Sequence, residues 1–238
     1  MTFRERNVIL IFMQTVREGH KWLTKALGGD APRANSLLKV GQTTGLLTTL
    51  GRGRGSPWLT LTDFAALVGM ALMTEGPTKA PQAVGRLWGL SLASITVDPG
   101  DGLDRTITSY AAYRDQLDPI LSPYFGMMGI LHFNVVDNLI GALTSLFTIY
   151  APATDFGRYD LVTMQEAGDS LSVTITLHGP RYGLQPDGYT GEGDDAYRVS
   201  LTFGDTFVFS QEAVETRRTI RAAALNGLAA LTRQKAVA

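Results

Sequence analysis

Two arginines in a glycine-rich segment are the residues whose type and spacing most clearly suggest a chemistry. Arg52 and Arg54 alternate with three glycines in the segment GRGRGSP, residues 51–57. A guanidinium binds phosphate oxygens and is attracted to the negative potential of a narrow minor groove. Glycines let the backbone approach a ligand closely. The segment predicts a nucleic-acid contact, and the alternative is a solvated loop whose arginines maintain solubility.

The elements around this segment predict how it would be presented. Short apolar runs at residues 46–50 and 58–61 flank it and can pair as the strands of a hairpin with the arginines at its tip. Before it, apolar periodicity predicts a helix over residues 3–27, which Gly28 and Gly29 would end. After it, an almost wholly apolar run predicts a buried helix over residues 63–73.

A second helix is predicted between the glycine pair and the hairpin. Asp30 is placed as its N-cap and Pro32 in its first turn, and the helix would stop near Gly41 or Gly45. Its polar side chains are of types that contact base edges or phosphates, although they would equally serve as a solvated face. With Arg52 and Arg54 they make up the predicted DNA-binding surface: Arg33, Asn35, Ser36, Lys39, Gln42 and Thr43.

Thr60 or Thr62 would cap the buried helix, and a further short helix is predicted over residues 78–90.

The segment GLLTTLGRGRGSPWLTLTDFAALVGMALMTEGPTKAPQAVGRLWGL resembles the MerR-like winged-helix arrangement of bacterial and prophage DNA-binding regulators. The resemblance covers roughly residues 30–90. It implies that "GLL" closes a recognition helix over residues 31–43, that a glycine/arginine wing follows, and that the "LT..D.A.L" helix packs behind. MerR regulators place this unit at the extreme N-terminus, whereas here the long helix 3–27 comes first.

Charge is divided unevenly along the chain. Residues 1–90 hold 11 Lys and Arg against 5 Asp and Glu, a net charge of +6, while the remainder holds 10 against 17, a net charge of −7. This asymmetry predicts a nucleic-acid face on the first part only, although basic surfaces also bind anionic lipid or acidic proteins. A turn-rich linker at residues 96–105 would separate a basic winged-helix-like domain, 1–95, from an acidic domain, 96–238.

The second part changes from helical to strand periodicity. Helices are predicted over residues 106–117 and 125–150, and the second is apolar enough to suggest a homodimer interface. Alternating patterns predict strands over residues 171–177 and 197–203, with a short third at 206–209 and a final helix over 210–232. The predicted fold class is α+β: a mostly helical N-terminal domain, then helices with a small antiparallel sheet that dimerises or binds a protein partner.

No catalytic, metal or cofactor residues are predicted. The chain has no cysteine, which excludes disulfides, Cys-ligated zinc, iron–sulfur clusters and a thiol nucleophile. Its three histidines (His20, His132 and His178) are scattered, and the acidic loop at residues 187–195 lacks EF-hand spacing. The GRGRG segment lacks the following helix and the lysine of nucleotide-binding loops. No uninterrupted apolar segment could cross a bilayer, so a cytoplasmic location without membrane contact is expected.

These observations predict a non-enzymatic protein that binds duplex DNA, a bacterial or phage regulator. The alternative is a phage accessory, packaging or protein-interaction component without specific DNA recognition. The two hypotheses differ in how affinity for DNA should depend on salt. If the basic segment contacts phosphates, log affinity should fall linearly with log salt concentration.

Overall fold

A computed structural model describes residues 15–48, 59–73, 75–98, 105–107, 138–153, 161–179, 197–205 and 215–231. Within these residues the chain forms helices and strands of an α+β fold, which confirms the predicted class. The helices are α1 (Val16–Ala26), α2 (Ala31–Thr44), α3 (Leu61–Leu72), α4 (Ala80–Trp88), α5 (Leu139–Ala153) and α6 (Ala222–Ala229). The strands are β1 (Leu92–Asp98), β2 (Arg105–Ile107), β3 (Leu161–Ala167), β4 (Ser170–Gly179), β5 (Tyr197–Gly204) and β6 (Glu215–Arg221).

The strands form a single antiparallel sheet in the order β2-β1-β5-β4-β3-β6. Alternation gives the sheet two different faces. One face carries Val173, Ile175 and Leu201, which are buried against the helices. The other face carries serines and threonines, of which Thr174 and Thr202 lie opposite each other on neighbouring strands with their hydroxyls 3.4 Å apart. The helices therefore form one layer on one side of the sheet.

Helix α3 lies at the centre of the helical layer. Every residue from Asp63 to Leu72 is buried, as the apolar run predicted. The helix packs against α1, α4 and α5 and against strand β6. The ring of Phe64 meets that of Phe147 of α5 edge to face, with their centroids 5.8 Å apart. Because α3 touches both the other helices and the sheet, it fixes the positions of both.

Helix α1 ends, and helix α2 begins and ends, where the sequence signals predicted. Gly28 and Gly29 both have positive φ, 72° and 96°, and follow the end of α1. The Asp30 carboxylate accepts a hydrogen bond from the backbone N–H of Arg33 at 2.9 Å, and so caps α2. Helix α2 ends at Gly45, whose φ of 78° is left-handed. Helix α1 begins only at Val16, because Thr15 before it is extended. Residues 3–14 of the predicted helix 3–27 lie outside the described residues.

Three predictions for the second part of the chain were wrong. The predicted helix 210–232 is strand β6 followed by the short helix α6. The two ends of the predicted linker 96–105 belong to β1 and β2, which pair as a hairpin. Strand β2 also includes the first residues of the predicted helix 106–117. The sheet is accordingly larger than predicted. The expected strand 206–209, the acidic loop 187–195 and His132 lie outside the described residues.

The predicted helix 125–150 begins only at Leu139. Asn138 pairs with Ser91 in an isolated bridge, and its side chain caps α5 by accepting a hydrogen bond from the N–H of Gly141 at 2.9 Å. Of the apolar side chains described in α5, Leu139, Ala142, Leu143, Leu146 and Phe147 are buried within their own chain, and Ile140 is half-buried against the same core. The homodimer was predicted from exposed apolar surface on this helix, and these residues do not provide it.

Both halves of the chain contribute to one hydrophobic cluster, which runs from Trp22 to Ala229. The predicted domain boundary, 95/96, falls inside β1, which pairs with β5 more than a hundred residues later. The indole N–H of Trp22 in α1 donates to the carbonyl oxygen of Ala224 in α6 at 2.6 Å. The division into two domains stays a prediction, and the shared core makes the full chain the object of the experiments below.

The predicted hairpin is absent from the part of its flanks that the structure describes. Residues 46–48 and 59–60 belong to no strand, and Leu61 already begins α3. Residues 49–58, with Arg52 and Arg54, lie outside the described residues. The winged-helix arrangement therefore stays a prediction.

A substitution at Gly204, at the end of β5, tests how closely this residue approaches strand β4. Its φ is 88°, and an added Cβ would collide with the carbonyl oxygen of Leu171. We expect Gly204→Ala to lower the free energy of unfolding by about 3 kcal/mol or more, since left-handed strain and a backbone clash add. Gly168 is the matched control, because its φ is 59° with nothing within 4 Å of the added Cβ.

Gly168→Ala should cost only about 1–2 kcal/mol, the strain alone. Urea denaturation of both variants provides the measurement. Equal losses in the two variants would contradict the close approach at Gly204.

Candidate nucleic-acid interface

The outward face of α2 brings together most of the residues predicted to contact DNA. Helix α2 packs against α1 and α4 through its apolar side, with Ala34, Leu37 and Leu38 buried. The polar side is open: Asn35, Ser36, Lys39 and Thr43 are exposed, and Gln42 is half-buried. Helix α2 contains no Asp or Glu. The face is therefore uncharged except for the cation of Lys39, a composition that suits a contact with an anionic surface.

Arg33 is turned away from this face. Its guanidinium Nη2 donates to the carbonyl oxygen of Met73 at 3.1 Å and to that of Glu75 at 3.2 Å. Those carbonyls follow the last turn of α3, where no intrahelical donor remains for them. Sequence reasoning placed Arg33 with the DNA-contacting residues because its position in the first turn of α2 reads as exposed. The structure gives this side chain a partner within the fold.

Arg218 of β6 reaches the same end of α3. Its Nη1 donates to the carbonyl oxygen of Met73 at 2.7 Å. The pKa of Arg218 is lowered from its usual value, first because burial removes solvent from the charged form and second because of the positive charge of Arg33; Glu75 opposes the shift. No sequence signal identified this residue, since the segment around it was predicted to be helical. Two guanidinium groups thus bind one buried helix terminus.

The other end of α3 is bound by a buried carboxylate. Asp63 is 1% exposed. Its Oδ1 accepts from the backbone N–H of Thr48 at 2.6 Å, and its Oδ2 accepts from the N–H of Thr60 at 2.5 Å and from the Thr60 hydroxyl at 2.8 Å. The same hydroxyl accepts from the N–H of Asp63 at 3.1 Å, which completes a capping box. Of the two predicted caps, Thr60 is the one used.

This carboxylate binds described residues on both sides of the glycine–arginine segment. Residues 49–58 start just after Thr48 and end just before Leu59, and one side chain binds backbone N–H groups on both sides of them. The departure point also adjoins α2, since the N–H of Leu47 donates to the carbonyl oxygen of Gly41 at 3.0 Å. Arg52 and Arg54 themselves lie outside the described residues, but both ends of their segment are held beside the C-terminal end of α2.

A second basic row lies on α1. Arg17, Lys21 and Lys25 follow one another at four-residue spacing and are exposed. The ammonium of Lys21 is 2.8 Å from the carboxylate of Glu18. Residues four apart share a helix face, so this row is continuous. It supplies a comparison surface that carries more positive charge than the open face of α2 but lacks its amides.

The remaining predictions from the sequence concern metal binding, membrane insertion and the histidines. Within the described ranges there is no group of three or more His, Asp or Glu side chains placed to hold a metal ion. Across the same ranges no helix combines the length and the hydropathy needed to span a membrane. His20 is half-buried on α1 and His178 half-buried on β4, on different elements of the fold.

Comparison of the chain with protein-family models, with curated proteins and with solved structures gave no match. The MerR-like resemblance therefore stays a prediction from the residues that suggested it. Support for the candidate interface comes from the geometry of its described residues.

Removing the Asp63 carboxylate should destabilise the fold. Asp63→Ala leaves the N–H groups of Thr48 and Thr60 without their acceptor, and we expect a loss of about 2–4 kcal/mol in the free energy of unfolding. The matched control is Thr62→Ala, an exposed change in the same helical turn, which should cost about 0.5 kcal/mol or less. Chemical denaturation measures both. A loss at Asp63 no larger than that at Thr62 would mean that the carboxylate does not hold the two chain segments.

Proposed function

We propose that this protein is a non-enzymatic binder of duplex DNA, of the kind that serves as a bacterial or phage regulator. The contact surface is the outward face of α2 together with Arg52 and Arg54. The observation that carries the proposal is that Asp63 binds Thr48 and Thr60, which flank residues 49–58, close to the C-terminal end of α2. Two arginines and a polar, carboxylate-free helix face are thereby joined within one short stretch of chain.

The charge distribution supports the same surface. Phosphate contacts by Lys and Arg release counterions, so a DNA-binding face needs cations without nearby carboxylates. Lys39 lies on the open face of α2, and α2 has no acidic residue. The carboxylate of Asp63, which binds the residues that flank the arginine segment, is buried and accepts three hydrogen bonds within the fold. Arg33 is not part of the proposed contact, because its guanidinium binds the end of α3.

The proposal is tested with the full chain and a fluorescent duplex of mixed sequence. Binding is followed by anisotropy as the salt concentration is raised, and log affinity should fall linearly with log salt. Absence of binding at low salt would exclude the proposed function. The alternative, a protein-interaction component, would then be the remaining candidate.

Removal of the two arginines should weaken DNA binding and leave the fold intact. In Arg52→Ala/Arg54→Ala we expect the magnitude of the salt slope to fall by about two, roughly one for each lost phosphate contact. The control is Arg17→Ala/Lys25→Ala, which removes the same charge from the exposed face of α1.

The control pair should change the slope much less, because α1 lies outside the proposed contact. Thermal unfolding of both variants verifies that each remains folded. An equal change of slope in the two pairs would show that overall charge, and not the anchored segment, determines the binding.

A further inference from the structure

The hydrogen-bonding groups on the open face of α2 are not equivalent. The hydroxyls of Thr43 and Thr44 donate to the carbonyl oxygen of Val40, at 3.0 and 2.8 Å, and so are engaged with their own helix. The side-chain amides of Asn35 and Gln42 make no hydrogen bond to another described residue. An amide has a donor and an acceptor side by side, and this pair matches the N6 and N7 edge of adenine in the major groove.

The two amides lie on one line along the helix. Asn35 and Gln42 are seven residues apart, so they differ by only about 20° around the helix axis. They are separated by about 10.5 Å along it. Lys39 lies between them on the same face. The three side chains therefore form a single row, with a hydrogen-bonding amide at each end and a cation at the centre.

The spacing of the amides corresponds to a whole number of base steps. Stacked base pairs are about 3.4 Å apart, so about 10.5 Å along a helix parallel to the DNA axis covers three steps. A helix inclined in the groove covers fewer; in zinc fingers, positions spread over a similar length contact three successive bases, which is two steps. Both amides can therefore reach base edges of one site, two or three base pairs apart.

We infer that Asn35 and Gln42 determine the sequence preference of this protein by reading two adenines that lie two or three base pairs apart in the major groove. The inference rests on the proposed DNA-binding function and goes beyond it, because it separates residues that specify sequence from residues that bind the backbone. Arg52 and Arg54 supply affinity, and the two amides supply discrimination between bases.

The experiment is a selection from randomised duplexes with the full-length protein, followed by sequencing. The wild type should enrich sites with two A·T pairs two or three base pairs apart. Asn35→Ala should lose the preference at one of these positions and Gln42→Ala at the other, each by about 5- to 150-fold. Arg17→Ala, on the exposed face of α1 outside the proposed contact, is the control and should keep both preferences.

The outcomes separate this inference from the function on which it rests. A wild type that binds DNA without base preference, or whose preferences survive both amide substitutions, overturns the inference and leaves DNA binding intact. Preferred adenines at another spacing also overturn it. A wild type that binds no duplex at low salt overturns both proposals.

Discussion

The burial of α3 from Asp63 to Leu72 is the constraint on which the rest of the structure depends. A helix surrounded by apolar neighbours gains stability along its sides, but its terminal N–H and C=O groups lose water and need other partners. Asp63 and Thr60 provide them at the first turn. Arg33 and Arg218 provide them at the last. Of these four side chains, Arg33 lies in α2 and Arg218 in β6, while Asp63 and Thr60 lie in the first turn and at the N-cap of α3. Hydrogen bonds to the two ends of α3 therefore connect elements that are far apart in the sequence.

The same constraint separates the two sides of α2. The side that faces the core contributes apolar residues and, through Arg33, a bond to the end of α3. The other side makes no such bond to α3: Asn35 and Lys39 are exposed there, and Gln42 is half-buried. Its place at the molecular surface is fixed because α3 holds both the start of α2, by way of Arg33, and the chain beyond its end, by way of Asp63 and Thr48.

Local signals in the sequence predicted those elements whose stability is decided locally. The Asp30 cap, the glycine ends of α1 and α2 and the alternation in β4 and β5 all lie where expected. Strand β6 was missed because Glu215–Arg221 is charged and reads as a helix face, while its strand conformation comes from pairing with β3. The role of Arg33 was missed for a similar reason: its partners are some forty residues away in the sequence, at the end of α3. The residue types of the candidate interface could be predicted from the sequence. The hydrogen bonds of Asp63 with Thr48 and Thr60, on the two sides of residues 49–58, could not.

The pairing of β1 with β5 has a consequence for how the chain comes to its native state. Strand β1 is synthesised with the N-terminal helices, but its neighbours in the sheet are β2 and β5, and β5 follows only after α5, β3 and β4. Contacts between distant parts of a chain form slowly, and surface that waits for them is exposed to aggregation. The sides of α3 that pack against α5 and β6 therefore stay uncovered until the second half of the chain has been synthesised.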